Sequence, residues 1–191
     1  MKVVRFLFTL LILVSFTIKA QDVTIGKQTW TSKNLNVSTY RNGDAIPQVQ
    51  DNTAWENLTT GAWCYYENKT ANGTTYGKLY NWYAVNDARG LAPKGYHIPT
   101  DAEWSITIHE PGDFTKITGL PGGRRAGNGD FGIIGSNGYW WDSSAYNTDN
   151  IPFHTMEPYD DDLYELEKYS DLYDMEKYLK HFGFSVRCIK D

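Results

Sequence analysis

The chain has 191 residues, with 18 Lys and Arg against 23 Asp and Glu, for a formal charge of −5. That length fits one ordinary domain, and the acidic balance argues against nucleic acid as a partner, because phosphate binding calls for a basic surface. Seven Trp and fourteen Tyr suit a large aromatic core, an aromatic binding face, or both.

Residues 1–20 read as an export signal. Lys2 and Arg5 give a positive start, and Phe6 to Phe16 an apolar run too short to span a bilayer. Cleavage is expected near Ala20, although Ile18 departs from the small residue usual three positions before the cut. No cysteine lies near that point to carry a lipid anchor. Loss of Lys2, Arg5 and Lys19 with the leader takes the formal charge from −5 to −8. The expectation is a secreted or cell-surface protein, not inserted in the membrane after cleavage, with one domain over 21–191.

In chain order, Val23 to Trp30 alternates apolar and polar residues around Gly26-Lys27, the pattern of a hairpin. Asn-Gly pairs at 42–43, 72–73, 128–129 and 137–138 each predict a tight turn with positive φ, and together a loop-rich β framework. Gly61 to Tyr66 reads as an aromatic strand. Leu79, Trp82, Tyr83 and Asn86 fall at helical spacing. A second helix has an explicit start, with Thr100 as N-cap, Glu103 three residues on and Asp101 at the positive end, and it cannot pass Pro111. Tyr139 to Trp141 and Phe184 to Ile189 read as strands. Between 149 and 181 ten acidic residues face only Lys168, Lys177 and Lys180. There Asp160 to Asp162 would cap a helix lined by Leu163, Leu166, Tyr169 and Tyr173 and stopped by Gly183.

Cys64 and Cys188 are the only cysteines. In an oxidising compartment an even pair reads as a disulfide, worth roughly 4–5 kcal/mol for so long a loop; two free thiols are the alternative. No CxxC or HxxxH accompanies them, so they do not form a zinc site.

Several ordered motifs carry a resemblance: Ile25 to Trp30 with Asn34-Leu35, Leu58 to Tyr66, the block YGKLYNWYAVNDARGLAPKGYHIPTDAEW from Tyr76 to Trp104, Leu120 to Gly123, Gly138 to Trp141, and Gly183 to Cys188. Together they resemble the Fibrobacter succinogenes major paralogous domain, itself similar to the formylglycine-generating enzyme domain. The resemblance implies an α+β, C-type-lectin-like fold. Two helices would pack on small antiparallel sheets, the chain ends would meet in one sheet, and a Cys64–Cys188 bridge would gain support. The short stretch between Trp104 and Leu120 and the acidic segment depart from the family pattern.

The catalytic pattern of the formylglycine-generating type needs two closely spaced reactive cysteines, and none exist. His97, His109, His154 and His181 are scattered, no Ser or Cys has a recognisable partner, and no enzyme activity is expected. Trp141-Asp142 and Glu157-Pro158 are each half of a lectin calcium motif, but both lack the Asn and their order is reversed. No metal and no cofactor is assigned. The framework motifs are spent on core and turns, which leaves the loops from Arg124 to Tyr146, beside the acidic segment, to carry specificity. Arg124, Arg125, Trp141, Asp142 and Tyr146 are the expected contacts, with one of Trp140 and Trp141 in the core and the other free to stack on a sugar ring. The expected function is a non-catalytic binding or adhesion module for a surface glycan or another cell-surface protein. The alternative is a structural or assembly subunit of a surface complex without a small-molecule ligand.

Overall fold

The computed structural model describes residues 22–109, 121–144, 153–159, 163–168 and 179–191. Residues 1–21, Tyr146 and Asp160 to Asp162 lie outside them. The chain starts with the expected hairpin: β1 (Val23–Ile25) pairs antiparallel with β2 (Gln28–Trp30), Val23 opposite Trp30. Gly26 turns the corner at φ 54°, a backbone state glycine reaches at no steric cost.

Helix α1 (Asn52–Glu56) begins at Asp51, whose side chain accepts a hydrogen bond from the Ala54 N–H. Strands β3 (Trp63–Cys64) and β4 (Leu79–Tyr80) pair antiparallel and are separated by α2 (Thr70–Tyr76). Two expectations change here. Asn72-Gly73 is inside α2 rather than in a turn, and Gly73 is required by contact: a Cβ there would meet the Tyr65 ring at 2.0 Å. Leu79 belongs to a strand, and the helix that follows, α3 (Trp82–Val85), starts only at Asn81, whose side-chain oxygen accepts from the Ala84 N–H.

Strand β5 (Tyr96–His97) leads into α4 (Asp101–His109). The predicted capping box is present: Thr100 N donates to Glu103 Oε2 at 2.8 Å, and Glu103 N donates to Thr100 Oγ1 at 3.3 Å. Strands β6 (Arg124–Arg125) and β7 (Phe131–Gly132) pair around Asn128-Gly129, with Gly129 at φ 91°. Then come β8 (Gly138–Trp141), β9 (Phe153–Tyr159), β10 (Leu163–Lys168) and β11 (Ile189–Lys190). The first sheet runs β1-β2-β11-β5 and the second β10-β9-β8. Ile189 lies opposite both Trp30 and His97, so the two ends of the described chain share one sheet. Among the described residues no helix is long and apolar enough to cross a membrane.

The acidic helix predicted from Asp160 is not formed over 163–168. That stretch is strand, registered from Leu163 opposite Tyr159 to Lys168 opposite His154. The free edge of β9 presents backbone donors and acceptors that only an extended neighbour can pair, and this outweighs the helical spacing of Leu163 and Leu166. The remainder of the predicted helix, 169–178, lies outside the described residues.

Strand β8 is covered on both faces. Trp140 packs with Ile25, Trp30, Trp104 and Ile189, and Trp141 with Trp82, Phe153 and Phe184 on the other side. Successive residues of a strand point opposite ways, so two apolar layers bury both indoles and neither stacks on a ligand. The cysteines also differ from expectation: they are not bonded. Cys64 sits among Trp55, Ala62, Tyr66 and Leu79, and Cys188 belongs to a separate cluster with Tyr80 and Phe184. Burial pushes each thiol up to about 12.

Two outcomes follow. Thr100→Ala should lower the unfolding free energy by about 1 kcal/mol, read as a shift in denaturant midpoint. Native protein should react negligibly with a thiol reagent and yield two thiols on unfolding without reductant; a bonded pair would yield none.

Candidate functional site

Of the five residues expected to form the site, the four that are described do not form one exposed surface. Arg125 is fully buried. Its guanidinium donates to the Val49, Gln50 and Gly129 carbonyls and to Asn52 Oδ1, at 2.7–2.9 Å, and lies over the rings of Trp55 and Phe131. It ties the start of α1 to the β6–β7 turn, and four of its five N–H donors go to these acceptors. Trp141 is buried, with its indole N–H donating to the Tyr80 carbonyl. Arg124 is half-buried against Tyr139 and Phe182, and Tyr146 lies outside the described residues. Asp142 is 1 % exposed, which removes it as a surface contact and places it in a different setting.

That setting follows from strand geometry. Trp140 lies opposite His154 in the β8–β9 register, so the two share a face, and Asp142, two residues past Trp140, falls on the same side. Helix α4 covers this face. Asp101 and Trp104 are three residues apart and therefore neighbours on one helix face, and the Trp104 ring lies 5.2 Å from that of His154. The result is a cluster in which His154 Nε2 is 3.2 Å from Asp142 Oδ2 and 3.7 Å from Asp101 Oδ1. Asp142 Oδ1 accepts from the Ser144 N–H, and Ser144 Oγ accepts from the Asp101 N–H, both at 2.8 Å. Ser144 thus holds both carboxylate-bearing segments. Sequence reasoning missed His154 and Asp101 as partners because no local spacing links positions 101, 142 and 154; only the strand register joins them.

A second feature is an open cleft of about 490 Å³ between Thr59–Gly61, α3 with the residues after it, and Lys180. Asn81 builds its wall: the side chain accepts from the Ala62 and Ala84 N–H groups and donates to the Thr60 carbonyl. In α3, Trp82, Ala84 and Val85 are buried and Tyr83 is half-exposed, edge-on to His181. Arg89 lies across the Tyr40 ring and pairs with Asp87 at 2.8 Å and with Asp44 at 3.2 Å. Hydrogen bonds from Arg89 hold the Asp87 carboxyl down to about 2. Hydrogen bonds from Asn42 and Arg89 lower Asp44 as well. The cleft therefore offers hydroxyls, an amide, a fixed ion pair and one partly exposed phenol ring, none of which the sequence motifs singled out as a group.

His97 bridges Asp191 through Nδ1 and Glu103 through Nε2, each at 2.9 Å. Burial opposes its charge, but the hydrogen bonds to Asp191 and Glu103 outweigh this and raise the imidazole above its ordinary 6.5. Burial likewise opposes ionisation of Glu103, yet the Thr100 N–H and His97 hold that carboxyl below its usual value.

Residues 23–111 match the family model described as the Fibrobacter succinogenes major domain, and this part of the chain belongs to that family. The match runs from β1 through α4 and so includes the cleft-forming α3 and the capped helix that carries Asp101. No curated protein and no solved structure matches the chain.

A group whose pKa is raised by folding stabilises fully below its unfolded pKa and loses that contribution as pH rises through the folded one. The thermal midpoint should therefore fall as pH increases through and above 6.5, and His97→Gln should flatten that slope. An unchanged slope in the variant would show that His97 does not hold β5 to α4 through charge.

Proposed function

We propose that this protein, with a Fibrobacter succinogenes major domain over residues 23–111, is an exported, non-catalytic binding module that takes a glycan in the cleft beside α3. The observation that carries the reading is the cleft's chemistry. Thr59, Thr60 and Asn86 are exposed neutral hydrogen-bonding side chains, Asp87 and Arg89 are planar groups fixed by one another, and Tyr83 presents part of a ring. Vicinal sugar hydroxyls pair with planar amide, carboxylate and guanidinium groups, and the apolar face of a pyranose lies on an aromatic ring. The volume is within the range of small-ligand sites. This moves the site from the Arg124–Tyr146 loops to residues 59–61 and 82–89.

Other features support the wider reading. Pairing of Ile189 with Trp30 closes the chain ends into one sheet, as a C-type-lectin-like fold requires, and short helices pack against small antiparallel sheets. The charged start and apolar run of residues 1–20 support export. Unbonded cysteines are compatible with an oxidising compartment because burial keeps both as thiols, and it is the thiolate that reacts.

A glycan array with the mature protein, residues 21–191, tests the proposal. The parent should bind a defined set of glycans. Tyr83→Ala with Asn86→Ala should weaken that binding by about tenfold, roughly 1.4 kcal/mol, without shifting the thermal midpoint. Binding equal to the parent would place the site elsewhere. Failure of the parent to bind any glycan would favour a structural subunit of a surface assembly.

A further inference from the structure

We infer that Asp101, Asp142 and His154 form a binding site for a divalent cation of the zinc class, linking the start of α4 to the β8–β9 sheet. The three offer one ligand atom each, all within 4.8 Å of one another. Metal–ligand bonds of about 2.0–2.1 Å at tetrahedral angles set ligand atoms about 3.3–3.4 Å apart. The separations of 3.2 Å and 3.7 Å from His154 Nε2 to the two carboxylates straddle that value.

An independent observation points into the same space. His154 and Asp142 have side chains only 3 % and 1 % exposed, and His154 Nε2 and Asp142 Oδ2 are both buried without a hydrogen bond. A buried polar atom left unpaired costs about 1–3 kcal/mol, and more for a charged group. Although 3.2 Å apart, the two atoms do not satisfy one another, whereas a cation between them would engage both. Asp142 is also prepared for such a role: its Oδ1 is held by the Ser144 N–H, which leaves Oδ2 to face the imidazole. Ser144 Oγ accepts from the Asp101 N–H and so fixes the third ligand's segment. Outer hydrogen bonds of this kind orient ligands at metal sites.

The donor set selects the ion. Calcium and magnesium take oxygen ligands, while an imidazole nitrogen beside two carboxylates suits zinc and its neighbours. Two carboxylates with a neutral imidazole balance a charge of +2. Three protein ligands leave at least one position open, on the side where Asp101 is 32 % exposed.

The test uses the mature chain, residues 21–191, stripped with chelator and titrated with zinc chloride by calorimetry, with cobalt chloride as a spectroscopic probe and calcium chloride as a control. Expected are one equivalent of zinc, a raised thermal midpoint, and visible cobalt absorption of a four-coordinate site. Asp101→Asn, a half-exposed position that leaves the core intact, should weaken zinc binding by about tenfold or more. His154→Gln should abolish it. Lys69→Ala, at an exposed position paired with Glu67, should bind zinc as the parent does. No zinc binding by the parent, calcium binding in preference to zinc, or an Asp101→Asn variant with parental affinity would each overturn the proposal. The last holds even where His154→Gln fails to fold. Because the readout is metal binding and not glycan binding, its failure is separable from failure of the cleft assignment.

Discussion

One buried amide joins segments that the chain keeps far apart. Asn34 donates from Nδ2 to the Tyr76 carbonyl and Ser185 Oγ, and its Oδ1 accepts from Trp140 Nε1 and Arg187 Nε. Both amide hydrogens and both lone pairs are used, the full capacity of that side chain. Its neighbour adds backbone bonds on either side, with Leu35 N donating to the Val186 carbonyl and Lys78 N donating to the Leu35 carbonyl. The β8 tryptophan, the closing Gly183–Cys188 segment and the end of α2 therefore meet at a single residue. Each partner is buried or nearly so, and leaving such groups unpaired costs about 1–3 kcal/mol apiece, so the closing segment has one low-energy position.

Three buried cations extend the same logic. Lys78 donates to the Asn36 carbonyl and side chain and lies 4.3 Å from the Trp63 ring centroid. Burial lowers its pKa; oxygen acceptors and the ring face offset that cost. Arg125 clamps α1 to the β6–β7 turn through four acceptors. Arg187 donates to Asn34 and to the Thr31 carbonyl, although burial works against its charge. Short strands and helices of four to nine residues contribute little rigidity of their own. Cations held by carbonyl and amide oxygens of sequence-distant segments supply order that a longer ladder would otherwise provide.

This loop-rich construction explains where binding chemistry is possible. Residues that carry the framework motifs are largely consumed in the core, and the segment lining the cleft packs closely on α3. At Gly61, which lines the cleft, a Cβ would lie 1.9 Å from the Tyr40 hydroxyl oxygen and 2.9 Å from Ala84 Cα, so this position tolerates only glycine. The carboxylate–imidazole cluster lies on the opposite side of β8 from the Trp82–Trp141 layer. One strand thus separates two sites of different chemistry.

Features governed by neighbours in sequence were legible without coordinates. The β1–β2 hairpin, the Thr100–Glu103 capping box and the turns at Gly43 and Gly129 depend on steric or hydrogen-bond preferences spanning two to eight residues, and all are present. The family motif from Tyr76 to Trp104 was likewise legible and agrees with the match over residues 23–111. What the sequence did not determine depends on which surfaces meet. The same Arg-Arg pair gives one half-buried side chain and one fully buried clamp, because β6 exposes one face and covers the other. Leu163 to Lys168 carries helical spacing but becomes a strand, because β9 offers an edge to pair. Cys64 and Cys188 match a plausible bridge in composition, yet separate core clusters enclose them. Asp101, Asp142 and His154 converge only through strand register and helix packing. Local preference acts over a few residues, whereas burial and long-range hydrogen bonding are decided by the whole fold, and those two terms placed each candidate site residue that is described.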